Sequence, residues 1–201
     1  MAEHDRSKPI SPLEPVALKR WRIEEVRVVA RFPIFEISER PSVSAMSGRA
    51  HPFYVMDSAE WVNIIPVTPE GEVVLVRQWR HGLQQFTLEI PGGLVDPGES
   101  PRTSAIRELL EETGYTSEEV ELLGVISPNP AIQSNFCHTF IARNARQVAT
   151  PNPEGTEEIE VVTLPVSTLR ALARAGQIQH ALVMVALYWW ELKYPAEGRE
   201  D

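Results

Sequence analysis

Residues 93–115 read GLVDPGESPRTSAIRELLEETGY, and no other stretch of this 201-residue chain restricts its fold and chemistry so tightly. Arg107 follows Glu99 by eight positions, and Glu108, Glu111, Glu112 and Gly114 come after it in fixed order. The pattern is G-x5-E-x7-R-E-(apolar)-x-E-E-x-G-(apolar), with each constrained position filled. Ser100 suits a helix N-cap, Pro101 the first turn, and Gly114 the position just past the end. At about 100° per residue, Ala105, Ile106, Leu109 and Leu110 share one side of that helix. Ser104, Glu108, Glu111 and Glu112 share the other, with only Arg107 interleaved. Carboxylates grouped so closely repel each other and any phosphate unless a cation joins them.

This pattern resembles the Nudix hydrolase box without a departure. The resemblance implies an enzyme that uses a divalent metal to cut the diphosphate linkage of a nucleoside diphosphate joined to another group. It also implies the assignments: Glu108 and Glu112 as principal metal ligands, Glu111 as an auxiliary one, and the carbonyl of Gly92 completing the shell. Glu112 is thereby a catalytic residue as well. Glu99 and Arg107 are expected to pair and fix the loop against the helix, with Gly93 and Gly114 as structural members of the box. Hard oxygen donors suit Mg2+, or Mn2+ in its place. The single Cys137 cannot build a thiolate site, and the five histidines show no paired zinc spacing.

Composition bounds the rest. With 43% hydrophobic residues, 201 residues can bury one sizeable core. A net charge of −9 and no basic block argue against nucleic acid as a partner. No apolar run approaches a membrane span. The start, MAEHDRSKPISPLEP, reads as a disordered lead over 1–20 and not as a signal peptide. One cysteine permits no intrachain disulfide and fits a cytoplasmic location.

Three strands are expected between Trp21 and Met56, in WRIEEVRVVA, FPIFEISER and HPFYVM. EWVNIIPV and EVVLVRQWR, joined by TPEG, read as a hairpin. FTLEIP, ELLGVIS, NFCHTFIAR and EEIEVVTL read as further strands. A helix capped by Ser167 runs to Gly176, and a second runs from near Gln179 to Leu192. The ALVMVALYWW segment of the second is apolar nearly all round, so it must be buried or meet a partner. The fold class is α+β.

Outside the box, VRQWRHGLQQFTLEIPGGLVDPGE and IQHALVMVALYWWEL resemble the ADP-ribose and nucleotide-sugar pyrophosphatase branch. That likeness implies a Nudix α/β/α sandwich with a mixed sheet over residues 57–195. It also implies an N-terminal antiparallel β extension over residues 21–56 that crosses to a partner in a homodimer. In that branch the base for the attacking water is a glutamate on a loop after the box. Here Glu157 and Glu158 align best, with Glu157 preferred and Glu154 and Glu160 lesser candidates. Arg80 matches an arginine that contacts diphosphate or ribose, Arg77 is a weaker substrate candidate, and Glu89 can support metal or substrate. Trp79, Phe86 and the Trp189–Trp190 pair suit stacking on a base, though packing is the commoner fate of such residues. His138 and Asn135 can face the sugar or be ordinary strand residues, and Cys137 reads as a buried small hydrophobe. The branch often carries a Ser-Pro-Gly turn where this chain has Ser127-Pro128-Asn129-Pro130, which argues against ADP-ribose as an exclusive substrate.

The resemblance therefore implies a nucleotide-sugar pyrophosphatase with ADP-ribose as leading substrate. The alternatives are a hydrolase of a dinucleotide polyphosphate or coenzyme, and a module that senses ADP-ribose without cutting it.

Overall fold

A computed structural model describes residues 18–153 and 158–195. By density of internal contacts the chain forms two compact units, Met1–Met56 and Asp57–Asp201.

In the first unit, β1 (Arg22–Ile23), β2 (Arg27–Arg31) and β3 (Phe35–Val43) form an antiparallel sheet in the order β1-β3-β2. β4 (Ala50–Ser58) also pairs with β3 and runs on across the unit boundary. The Ser44 hydroxyl accepts the Met46 and Ser47 amides and closes the turn between β3 and β4. Arg27 reaches Glu39 across the sheet at 2.6 Å. In this unit Ile23 of β1, Val28 and Val29 of β2, and Phe32 and Ile34 of the connection to β3 are exposed.

The second unit holds β5 (Trp61–Pro66), β6 (Glu72–Arg80), β7 (Gln85–Glu89), β8 (Gly92–Leu94) and α1 (Pro101–Thr113). After these come β9 (Tyr115–Thr116), β10 (Glu119–Ile126), β11 (Cys137–Arg143), β12 (Arg146–Gln147) and β13 (Ile159–Pro165). The chain then forms α2 (Val166–Arg174) and α3 (Ala181–Lys193). One sheet has the order β10-β11-β5-β8 and is mixed, because β11 and β5 run parallel while the other pairs are antiparallel. Another, β13-β6-β7, is antiparallel. β9 and β12 form a two-stranded ladder.

Strand alternation separates the core into layers. Val62 and Ile64 of β5, with Phe140 and Ala142 of β11, pack against Ala105 and Leu109 of α1. Ile65 and Ile141 join Val73 and Leu75 of β6 and pack with Leu169 of α2 and Val183, Ala186, Leu187 and Trp190 of α3. This unit is α+β, with sheet between helices.

Three local expectations are corrected. β5 and β6 do not form a hairpin. The Thr68–Glu72 turn closes, with Gly71 donating to Thr68 at 3.0 Å, but only a Val67–Val73 bridge joins the two arms. β5 is buried on both faces, and its register is set by six pairs to β11, so it enters a different sheet from β6. Ser167 is not a cap, because α2 already starts at Val166 behind Pro165. In α1 the buried side is turned relative to the apolar pattern: Leu110 is exposed, whereas Ser104 and Glu112 are buried.

Candidate active site

Helix α1 begins and ends as its caps dictate. Ser100 accepts the Thr103 amide at 3.1 Å, and Gly114 is left-handed with φ 75°, its amide bonded to Leu110 at 2.8 Å. The helix lies against the Pro91–Gly93 turn. Gly92 N–H donates to Glu112 Oε2 at 3.1 Å, and Glu112 is only 2% exposed. Gly93 pairs with Val62 in the sheet, and a side chain there would collide with the Glu108 carboxylate. Glu108 and Glu112 thus both approach the turn that carries the Gly92 carbonyl.

Arg107 organises the remaining carboxylates. It bonds to Glu99 at 3.2 Å, Glu108 at 3.0 Å, Glu111 at 2.9 Å and the Leu94 carbonyl at 3.2 Å. Burial works against its charge, yet the Glu111 hydrogen bond, Glu108 and Glu99 together raise its pKa. Glu99 is lowered by the Ser104 hydroxyl at 2.6 Å and then by Arg107, so the loop before α1 is tied to its first turns. With Glu108 and Glu111 turned to Arg107, no group of three His, Cys, Asp or Glu among the described residues stands ready to hold a metal. The donor set nonetheless fits a hard divalent cation: three carboxylates within two turns of one helix, beside a glycine turn.

Glu157 lies outside the described residues. Glu158 is exposed, one residue before β13, and Glu160 sits within β13, paired with Arg77 at 2.8 Å. What sequence reasoning missed is the docking of the segment ahead of this loop. Val148 and Ala149 donate to the Gly114 carbonyl at 2.9 and 3.2 Å, and Asn152 donates to the Glu111 carbonyl at 2.8 Å. The chain leading to the candidate base is therefore anchored on the end of the carboxylate helix. A side chain at Gly114 would meet the Ala149 carbonyl.

Upstream, Arg80 and Glu89 form a fork: Nε to Oε1 and Nη2 to Oε2, both 2.8 Å, with Thr87 Oγ1 on Oε1 at 2.5 Å. Glu89 is 3% exposed, and with both oxygens engaged it supports Arg80 directly. Arg77 lies on the other side of β6, three residues away, where it lines a cleft with Leu88, Thr168 and Leu172. The structure does not bring Arg77 and Arg80 together.

His138 and Asn135 serve the backbone around Glu60. Glu60 Oε2 takes His138 Nε2 and the Phe136 amide, each at 3.2 Å, and Asn135 Nδ2 donates to the Ala59 carbonyl at 3.1 Å. Cys137 is buried, and burial followed by Glu60 pushes its thiol up to about 12, so it stays protonated at neutral pH. Trp189 packs on Gly124, and Trp190 is in the core. Trp79 and Phe86 meet edge to face at 5.3 Å and remain exposed.

An acidic helix laid against a glycine turn, inside sheets layered with helices, defines the class. The chain belongs to the NUDIX domain family, whose model matches residues 59–184. It is 36% identical to the ADP-sugar pyrophosphatase of Mus musculus over 145 residues, 67% of this chain and 66% of that protein. To the ADP-ribose pyrophosphatase of Bacillus subtilis (strain 168) it is 27% identical over 159 residues, 79% of this chain and 86% of the relative. The crystal structure of an ADP compounds hydrolase shares its fold with a TM-score of 0.79 at 24% identity, over 92% of this chain and 99% of that one.

Proposed function

We propose that this protein hydrolyses the diphosphate linkage of nucleoside diphosphate sugars, with ADP-ribose the leading substrate, giving a nucleoside monophosphate and a sugar phosphate. The observation that carries the reading is the approach of Glu108 and Glu112 to the Pro91–Gly93 turn in a chain whose relatives are named for ADP-sugar and ADP-ribose cleavage.

Glu108, Glu111, Glu112 and the Gly92 carbonyl would hold the divalent metal, Mg2+ or Mn2+ in its place. The metal, when bound, neutralises charge on the bridging and terminal phosphate oxygens. Arg80 contacts the diphosphate as a fork that Glu89 has already oriented. Glu157, with Glu158 as second candidate, takes the proton from the attacking water. The new P–O bond forms as the bridging P–O bond breaks, and the leaving phosphate departs with the electron pair. Glu99, Arg107, Gly93 and Gly114 keep the loop and helix in register.

Residues 57–195 carry this chemistry, and residues 21–56 pair with a second copy in a homodimer. The exposed apolar side chains of β1 and β2 support that assembly, as does the exposed Met184, Tyr188 and Leu192 stripe of α3. No helix among the described residues is long and apolar enough to cross a membrane. A cytoplasmic location and the exclusion of nucleic acid belong to the same reading, supported by the buried thiol and the net charge of −9.

A screen of nucleotide sugars with Mg2+, reading phosphate released by a coupled phosphatase, tests the function. Release from ADP-ribose above dinucleotide polyphosphates and coenzymes is expected. Release from those compounds alone overturns the substrate class.

A further inference from the structure

We propose that His180 is a positioning residue for the substrate arginine: it closes the open side of the buried Glu89 carboxylate, which in turn holds Arg80. The proposal rests on the reading of Arg80 as a diphosphate contact. Three of the approaches to Glu89 are taken by Arg80 and Thr87, and His180 Nε2 stands 3.8 Å from Oε2. A carboxylate with 3% exposure keeps its charge only if donors surround it. Burial raises the Glu89 pKa, but the Arg80 and Thr87 hydrogen bonds outweigh it and hold the group ionised.

The ring's own surroundings fix its role. Burial lowers the His180 pKa, so the imidazole is neutral at neutral pH and carries one N–H. Nδ1 is buried with no hydrogen-bond partner. A proton on Nδ1 would bury an unmet donor and aim a lone pair at the Glu89 carboxylate. The proton therefore belongs on Nε2, which faces Oε2 at 3.8 Å, longer than a hydrogen bond, so the link is a polar contact across a narrow gap. One side-chain and one backbone hydrogen bond hold the segment on either side of the ring. Gln179 Oε1 accepts from Gln85 Nε2 of β7 at 2.6 Å, and the His180 carbonyl accepts the Met184 amide at 3.1 Å as α3 begins. Through His180 the α2–α3 connection is joined to the arginine fork. A pre-oriented fork loses less freedom when it meets phosphate, so loosening it weakens substrate binding.

The test is calorimetric titration of the full chain with the non-hydrolysable α,β-methylene analogue of ADP-ribose in Mg2+, which reads binding without turnover, with a thermal melt of each variant to verify folding. Arg80→Lys should weaken binding about tenfold or more through loss of the fork. His180→Ala should weaken it about threefold to tenfold, on the scale of one ordinary net polar contact. His180→Gln, whose amide nitrogen reaches the place of Nε2, should recover wild-type affinity, whereas His180→Asn should not. Unchanged affinity in His180→Ala beside weakened Arg80→Lys overturns the positioning role and leaves the Arg80 contact standing. A loss that Gln does not restore also overturns it, as the mark of packing alone. Unchanged affinity in Arg80→Lys removes the premise, and no binding by wild type overturns the substrate reading itself.

Discussion

At Glu121 three donors converge on one partly exposed carboxylate: Lys193 at 2.5 Å, Tyr194 at 2.5 Å and Arg143 at 3.2 Å. The Lys193 hydrogen bond, then those of Tyr194 and Arg143, lowers its pKa from 4.5 to about 2. A carboxylate with a depressed folded pKa stabilises the native state above its ordinary pKa, and that contribution fades as pH falls towards the folded value. Glu121→Gln should therefore melt below wild type at pH 7, and the gap should close between pH 4.5 and about 2. A gap independent of pH would show that packing, not charge, is lost. Contacts of this kind separate what sequence can tell from what it cannot. The Ser100 cap and the Gly114 end are local and legible in the residues themselves, whereas the Glu99–Arg107 pairing comes from the family resemblance. The Arg80–Glu89 fork is not legible, because it needs the antiparallel pairing of β6 with β7 to bring residues nine apart into contact.

At the scale of elements, the period of α1 was readable while its rotation was not. Leu110 and Glu112 exchange the environments that their polarity suggests, because the Gly92 amide supplies the donor that a buried Glu112 requires. In the same way the TPEG turn was legible, but the sheets that its two arms join were set by pairing with β11 and β13, far along the chain. The end of α1 carries a second duty, since Gly114 also receives the Val148–Asn152 segment. Gly114→Ala should cost about 1–2 kcal/mol for the left-handed backbone alone, and more for displacing the Ala149 carbonyl. A chemical melt measures that cost. Turnover should fall together with stability, because the displaced segment leads to Glu157 and Glu158. Full turnover in folded Gly114→Ala would detach that segment from catalysis.

Among the described residues, Ile23, Val28 and Val29 of β1 and β2 and Met184, Tyr188 and Leu192 of α3 are exposed apolar side chains. Two-fold pairing is the commonest way to cover such surfaces. Sedimentation equilibrium at micromolar concentration should give twice the 22.6 kDa chain mass. A single-chain mass throughout would remove the homodimer, and with it the role given to residues 21–56.

In the proposed function the α1 carboxylates drive diphosphate hydrolysis. Its most direct test is the rate of AMP formation from ADP-ribose by wild type and Glu112→Gln, each with Mg2+ and with chelator. Wild type should show Mg2+-dependent turnover, and a folded Glu112→Gln a loss of about 10²-fold or more, the scale of losing one charge that stabilises the transition state. Near-wild-type turnover in that variant, or turnover indifferent to chelator, would contradict the proposed function.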